Sequence, residues 1–513
     1  MAQWNETFSM PMYKAWVPEA IRPWIYLVFA FIFQLTGTYY LGSLSQIMGT
    51  TSLMREDVMM IGMMGVVGVN MPFPFLFRFK LRFPNHYLLI TAAVVIIVCN
   101  LLTLYVTWVP LLCAISYVAG FFKLCGTFEC FSNIRLWISP KQNFGVFLPS
   151  IYIVILSAVS TSTWLSQQIT YYFDDWQMMN WLTIGLLLTM ILVLRLLTRP
   201  FMFMKPLPLV SMDWLGCLLW SALMLEFIWV FTYGEYYNWW DSSLWRGVVL
   251  SIPVTLLICI GRMRRIRHPY IEAHLWNHSR LWPILGLFFV AEMMNATPRV
   301  MQNTLTGGVL HWGMLTTSVF NLWEVVGTVL GCCSVMLWAT RVKRPFTQLL
   351  TLGFAALLAY QIMMYFMVSP DVNIERFYLP TVLRSAGYAI FFATMTLYLK
   401  HLIEFPQFFM ALTMSGFIRN GVAESVCSGI YSFRMRYNIA DNLMRDVPND
   451  IVNVLLASVK QSYGMMCLIG SLLLLLMMVY EFPRVRNTVK MIPHLNMAAR
   501  HAYRKISHEK ESA

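Results

Sequence analysis

Long apolar stretches, separated by short polar or basic segments, follow one another along most of the chain. A membrane-spanning helix needs about 20 mostly apolar residues, and fourteen stretches meet that requirement. We therefore predict an all-α, polytopic membrane protein with fourteen transmembrane helices. They lie near residues 24–46, 57–77, 87–109, 110–133, 145–169, 177–198, 211–232, 244–261, 281–304, 312–338, 346–368, 377–399, 406–431 and 463–482.

The composition excludes several other classes of protein. Of the 513 residues, 58% are hydrophobic and 12% are charged, whereas soluble domains carry about 25% charged residues. A soluble enzyme, a coiled coil and a disordered chain do not fit these values. The ten cysteines lie in apolar runs without zinc-type spacing, so we expect buried small hydrophobes and neither a metal site nor a cofactor.

Positive charge predicts the orientation of the helices. If the amino terminus is cytoplasmic, inside segments hold about four times as many Lys and Arg residues as outside segments, as the positive-inside rule requires. The net charge of +13 therefore reflects orientation, and we expect no nucleic-acid partner. Residues 1–22 lack the apolar core of a signal peptide, so we expect an interfacial helix or a disordered segment there. We expect both termini to lie on the cytoplasmic side of the inner membrane.

Two basic loops in matching positions suggest an internal repeat. Residues 75–86 follow the second predicted helix, and residues 337–346 follow the tenth. Parallel repeats are one way in which transporters are built, so we predict a 6+2+6 arrangement with a long outer loop at 432–462. The predicted parts are an amino-terminal segment (1–23), a six-helix bundle (24–200), an inserted pair (201–265), a second bundle (266–483) and a basic tail (484–513).

Charged residues inside predicted helices are the first candidates for function, because each costs about 3 kcal/mol to bury in a membrane on insertion scales. On an unbroken helix Glu292 and Arg299 would share a face two turns apart, whereas the other charges have no good partner on their own helix. We therefore expect partners from other helices across a central cavity. The candidate proton carriers are Glu292, Glu324, Glu129 and Glu424, and the candidate cations are Lys123, Arg299, Arg384 and Arg419.

Two interpretations of these charges remain open. One or more carboxyls could titrate and couple proton entry to substrate exit, or the Arg–Glu pairs could hold helices together without titrating. For Glu129 the alternative is snorkelling to the cytoplasmic face, and for Glu226, in the inserted pair, we favour a structural role.

Short motifs resemble the 14-helix drug:proton antiporters of the major facilitator superfamily. The segment 298–317 is similar to that family's proline–x–x–x–glutamine stretch and the glycines after it, with Pro298 and Gln302 in matching positions. The segment 225–245 resembles its acidic-aromatic outer loop, and Arg384 with Gly387 resembles its twelfth helix. Residues 419–429 resemble its thirteenth.

The sequence also departs from the family pattern. Leu81 stands where the loop after helix 2 usually has Asp, and Ser116 stands where helix 4 usually has Arg. The glycine-proline motif of helix 5 is replaced by SAVSTSTW at 157–164, and Thr36 stands near the usual acidic position of helix 1.

The resemblance implies a secondary transporter, in a major-facilitator-like fold, that exports amphipathic or toxic compounds by proton antiport. It further implies a periplasmic adaptor and an outer-membrane channel as partners, for which the loop 432–462 is the docking candidate. A carrier of one metabolite or siderophore, and a membrane-embedded lipid-modifying enzyme, are the alternatives, although no catalytic motif favours an enzyme. The candidates for lining a cavity for a lipophilic substrate are Tyr39, Tyr40, Trp164 and Gln302.

Overall fold

The computed structural model describes residues 12–37, 39–140, 142–202, 209, 212–342, 345–444 and 451–479. Within these ranges the chain is built of helices and contains no β-sheet. In the described part of the chain, eleven helices are long and apolar enough to cross a membrane. The all-α, multi-pass prediction is thus confirmed, whereas the count of fourteen spans stays a prediction.

The first half of the chain begins with a broken helix. The first helix stops at Leu35, and Gly37 takes a left-handed φ of 79° that suits glycine. Two short helices then complete the first predicted span. The helices are α1 (Arg22–Leu35), α2 (Tyr39–Gly42), α3 (Leu44–Thr51), α4 (Arg55–Asn70), α5 (Leu76–Arg82), α6 (Asn85–Tyr105), α7 (Val109–Ile138), α8 (Phe144–Phe173) and α9 (Met178–Leu197).

The second half contains two further interruptions. The ninth predicted span ends its α-helix at Asn295 and continues through a 3₁₀ turn that contains Pro298 and a π-helical stretch. The thirteenth contains the π-helical stretch Phe417–Ala423. The helices are α10 (Trp214–Thr232), α11 (Ser243–Arg265), α12 (Leu281–Asn295), α13 (Met301–Asn303), α14 (Met314–Leu337), α15 (Phe346–Met367), α16 (Tyr378–Leu402), α17 (Phe405–Gly416), α18 (Glu424–Met444) and α19 (Ile451–Val479).

The same packing pattern occurs in both halves. Helix α7, the fourth span of the first six, packs against α1, α4 and α6, and α16 packs in the same way against α12, α14 and α15. A Cβ on Gly68 or Gly120 would collide with backbone across the α4–α7 contact, and one on Gly387 would collide with backbone of α15. Close approach of this kind is how helices associate where water is absent.

The halves meet along α8 and α14. On this contact Gln168 donates to Ser318 at 2.9 Å, and Asn321 donates to Gln167 at 3.0 Å. The inserted helix α10 lies on the other side of the molecule, where it packs against both α4 and α18. The inserted pair thus bridges the two halves.

One end of the inserted pair is held by Asp213, which caps the amino-terminal end of α10. Its carboxylate accepts hydrogen bonds from Arg262 at 2.6 Å and from the backbone N–H groups of Gly216 and Tyr270. Burial alone would raise the pKa of Asp213, but these hydrogen bonds outweigh burial and lower the pKa. The Tyr270 hydroxyl in turn donates to the Met71 carbonyl at 2.6 Å. This hydrogen bond joins the segment that follows α11 to the end of α4.

Two segments differ from the sequence-based expectation. Residues 432–462 were expected to be an outer loop, but 432–444 and 451–462 are helical. Asn442 and Asn438 on α18 donate to Ser458 and Ser462 on α19, so the two helices pack as a hairpin. The loop prediction is wrong because the amides and hydroxyls of this segment lie on two helices and are buried against each other.

The described part of the amino-terminal segment is neither an interfacial helix nor disordered. Tyr13 forms an antiparallel bridge with Thr198, and its hydroxyl donates to the Arg22 carbonyl at 2.9 Å. Met12, Tyr13 and Val17 are buried against the first bundle. The segment therefore packs at the carboxyl-terminal end of α9, and residues 1–11 lie outside the described ranges.

Candidate functional site

Glu292 is a buried carboxyl without an ion pair. It lies on α12 with 5% of its surface exposed, and the Tyr388 hydroxyl lies 3.5 Å from Oε1. Its other oxygen, Oε2, has no hydrogen-bond partner, and no cation lies within ion-pair distance among the described residues. A lone carboxylate in such a place is costly, so Glu292 must be protonated or hydrated.

Arg299 pairs with Glu424 and not with Glu292. The Arg299 guanidinium donates to Glu424, the first residue of α18, which is 8% exposed at its side chain. The expected two-turn spacing from Glu292 assumed an unbroken helix. That assumption is wrong because α12 ends at Asn295 and a 3₁₀ turn with Pro298 follows.

Arg384 connects four elements. From α16 it donates to Glu324 on α14 and to Asn295 at the end of α12, and its guanidinium lies 5.8 Å from the ring centre of Tyr360 on α15. Ser160 of α8 donates to the other oxygen of Glu324 at 3.3 Å. Hence this ion pair in the second half also reaches the first half.

Arg419 lies over an aromatic face instead of beside a carboxylate. Its guanidinium is 4.2 Å from the centre of the Phe392 ring, and Phe392 stacks on Tyr388 with an 8° angle between the planes. Its Nε donates to Asn420, while the buried Nη1 has no partner. Arg419 and Glu292 therefore contact the two members of one stacked ring pair, and each retains an unsatisfied polar atom.

The two charges of α7 lie apart from this cluster. Lys123 donates to the carbonyls of Gln34 and Thr36, where α1 ends. Glu129, 1% exposed, accepts hydrogen bonds from Lys80 of α5 at 3.1 Å and from Asn133 at 3.0 Å. Glu129 is therefore paired inside the bundle, and the snorkelling alternative is wrong because a cation from the neighbouring helix meets it there.

The predicted cavity residues do not come together as one surface. Tyr40 is buried in an apolar cluster with its ring centre 6.3 Å from that of Trp176, and Gln302 accepts from the Tyr360 hydroxyl at 2.9 Å. Trp164 lies partly buried on α8, and the side chain of Tyr39 lies outside the described residues. Their role as substrate contacts stays a prediction.

Sequence reasoning missed the uncharged members of the cluster. Tyr388, Asn295 and Ser160 complete the polar contacts of Glu292, Arg384 and Glu324, but a Tyr, Asn or Ser in an apolar helix carries no signal of its own. The sequence predicted that Lys80 lies in a basic loop. It lies instead on the short helix α5, from which its side chain reaches Glu129 of α7. Glu226 accepts from Thr255 at 2.9 Å within the inserted pair. The described residues include no group of metal-ligating side chains.

No protein-family model and no curated protein sequence matches the chain. Solved structures do match. A peptide transporter of the POT family in complex with alafosfalin is similar with a TM-score of 0.57 at 13% identity, over 93% of this chain and 97% of that one. The chain has the major facilitator fold.

Two other structures with this fold are similar at comparable levels. An auto-inhibited POT family peptide transporter matches with a TM-score of 0.54 at 12% identity, covering 87% of this chain and 96% of its own. The nucleoside transporter NupG matches with a TM-score of 0.50 at 10% identity, over 89% and 99%. At these identities the similarity establishes the major facilitator fold, while the 14-helix drug:proton antiporter subfamily remains part of the proposal below.

Proposed function

We propose that the protein is a secondary active transporter that exports amphipathic or toxic compounds by proton antiport. The observation that carries this proposal is Glu292, a buried carboxyl with one unsatisfied oxygen and no ion pair in the described structure. A coupling carboxyl has to alternate between a protonated state and a charged state that something else compensates. The fold supplies the two halves between which such a change can act.

Arg419 is the group that compensates the charge. The buried Nη1 of Arg419 has no hydrogen-bond partner among the described residues. When Glu292 loses its proton, this Nη1 donates to the carboxylate, and Arg419 becomes its counter-ion. Because Phe392 and Tyr388 lie between these residues, this exchange needs a small movement of the span that contains Arg419. The π-helical stretch Phe417–Ala423 supplies a place for it, since π turns are frequent at functional sites.

The contacts between the halves support alternating access. At the end that we predict to be cytoplasmic, Phe77 of α5 packs against Phe405 and Phe409 of α17, with ring centres 5.2 and 4.7 Å apart. Phe128 of α7 packs against Phe409 as well. These contacts between the halves have to separate when a central cavity opens to the cytoplasm.

Transport in proteoliposomes tests the coupling. Glu292→Gln keeps size and hydrogen bonding but holds no exchangeable proton, so accumulation of ethidium or taurocholate driven by a pH gradient should fall at least about tenfold. Downhill exchange should persist. Glu226→Gln, also an intramembrane carboxyl, is the matched control and should behave as wild type. Full gradient-driven transport by Glu292→Gln would show that Glu292 is structural and would direct the test to Glu324.

The location and partners belong to the same proposal. We place the protein in the inner membrane with both termini cytoplasmic. We further propose that a periplasmic adaptor, which connects to an outer-membrane channel, binds at the α18–α19 hairpin. Reporter fusions after Arg265 should then be cytoplasmic, and fusions near Asp241 should be periplasmic. A periplasmic result at Arg265 would contradict both the orientation and the 6+2+6 order.

A carrier of a specific polar metabolite is the second candidate. It is favoured by the polar lining beside α10, which includes Arg299, Glu424 and Ser425. The similar structures, a nucleoside transporter and a peptide transporter, favour it as well. Saturable exchange of one polar solute, without efflux of ethidium or taurocholate, would select this candidate.

A further inference from the structure

A polar cleft lies where the inserted helix meets both halves. We call it the outer cavity. It is bounded by the first turns of α4, the end of α10, Arg299 and the first turns of α18. Its position beside α10 separates it from the contact between α8 and α14.

The charges that line the outer cavity are of both signs. Arg299 is paired with Glu424 but half of its side chain is exposed, and one oxygen of Glu235 is paired with Arg436 at 2.7 Å. Arg55 and Glu56, which are adjacent on α4, have no ion pair among the described residues. A simple anion would meet three carboxylates here and a simple cation would meet two guanidinium groups, so a group with both charges fits best.

Hydrogen-bonding atoms of the outer cavity are unsatisfied. The hydroxyls of Ser425 and Ser428 and one oxygen of Glu235 are buried and have no hydrogen-bond partner among the described residues. Ser425 and Ser428 are three residues apart and therefore lie on one face of α18. Buried polar atoms without partners are unfavourable, so a ligand that supplies donors and acceptors gains from reaching them.

Part of the wall is apolar. Met59 and Met63 of α4 and Phe231 of α10 lie beside the charged groups. An apolar wall next to a polar one is suited to an amphipathic molecule, whose chain and head group it would contact separately.

We propose that the outer cavity binds the zwitterionic head group of an amphipathic molecule, with its anionic part at Arg55 and Arg299 and its ammonium part at Glu56 and Glu235. The shared chemistry is a phosphate or carboxylate a few bonds from a primary ammonium, as in an ethanolamine phospholipid or in free phosphoethanolamine. This deepens and rests on the proposed function, because Arg299 and Glu424 also belong to the charge cluster beside Glu292.

Native mass spectrometry of the purified full chain in detergent tests the site. Phosphatidylethanolamine should be retained at least about fivefold better than phosphatidylglycerol, which has the phosphate but no ammonium. Arg55→Ala and Ser428→Leu should lower retention at least about tenfold, by removing a cation and by filling the cavity. Ser428→Ala, which adds no bulk, should give a smaller loss in the same direction. Arg246→Ala, an exposed arginine outside the cavity, is the matched control and should leave retention unchanged.

Each outcome of this experiment decides something. If free phosphoethanolamine also binds and the same variants abolish its binding, the chemistry stands and the source is a soluble molecule. Equal retention of the two lipids, or wild-type retention by Arg55→Ala and Ser428→Leu, would overturn the proposal. Glu292→Gln should bind phosphatidylethanolamine as wild type does, so failure of coupling and failure of this site remain distinguishable.

Discussion

The two halves of the chain, which we predict to be six-helix bundles, share their packing but not their charges. In each, the fourth helix, α7 or α16, crosses its neighbours through close glycine contacts. In the first bundle the buried charges are satisfied locally, by Lys80 for Glu129 and by backbone carbonyls for Lys123. In the second bundle they form a cluster that reaches α8 and leaves polar atoms unsatisfied. A repeated scaffold can therefore hold one half whose buried charges are paired locally and one half whose buried charges keep unsatisfied atoms.

The largest expected effect comes from the shared packing. Gly120→Leu and Gly387→Leu should each prevent folding or cost several kcal/mol, because a side chain at either position would collide with the backbone of the neighbouring helix. Membrane yield and unfolding in mixed micelles measure this. Gly185→Leu and Gly286→Leu, which have open space around them, are the controls. If one bundle tolerated its substitution and the other did not, the equivalence of the halves would fail.

Breaking the local pair of the first bundle should cost somewhat less. Lys80→Met leaves Glu129 buried without its cation, which should lower the free energy of unfolding by about 3 kcal/mol. Lys80→Met combined with Glu129→Leu should recover most of it, since no charge is then left unpaired. Neither change should alter the dependence of transport on the pH gradient. A coupling defect in the double variant would mean that the first bundle also performs proton chemistry.

The inserted pair, which bridges the bundles, should respond at an intermediate level. Asp213→Asn removes the charge that Arg262 and two backbone N–H groups contact, at a cost of about 2 kcal/mol. Since the pKa of Asp213 is lowered in the folded protein, this stabilisation is present above the ordinary carboxyl pKa and is lost as the pH falls through the folded value. Unfolding measured at pH 7 and at pH 3 should therefore differ for wild type more than for the variant. Asp241→Asn, at an exposed site, should change neither.

The smallest effect is expected at the hairpin α18–α19, a feature of the second half of the chain. Asn442→Ala removes hydrogen bonds to Ser458 and Gln461 and should lower the free energy of unfolding by about 1 kcal/mol. Asn373→Ala, outside the hairpin, serves as the control. Wild-type stability of Asn442→Ala would restore the view that this segment packs weakly and serves partner binding alone.

Apolar length and the distribution of Lys and Arg were enough to predict a multi-pass helical membrane protein, because lipid requires every spanning segment to satisfy its own backbone. The ends of α6, α9 and α15 lie within about four residues of the predicted ones. The sequence also predicted that buried charges find partners on other helices, since burial of an unpaired charge is costly. Arg384 and Glu324 form such a pair, although the sequence did not identify it.

Only the tertiary structure decided which partners meet. Arg299 turns to Glu424 because the helix breaks before Pro298, and Glu129 meets Lys80 because a segment expected to be a loop forms helix α5. The break before Pro298 also leaves Glu292 without a counter-ion among the described residues. Apolar periodicity reports how long a helix is, whereas the approach of two side chains depends on where helices break and cross, which residues distant in sequence determine together.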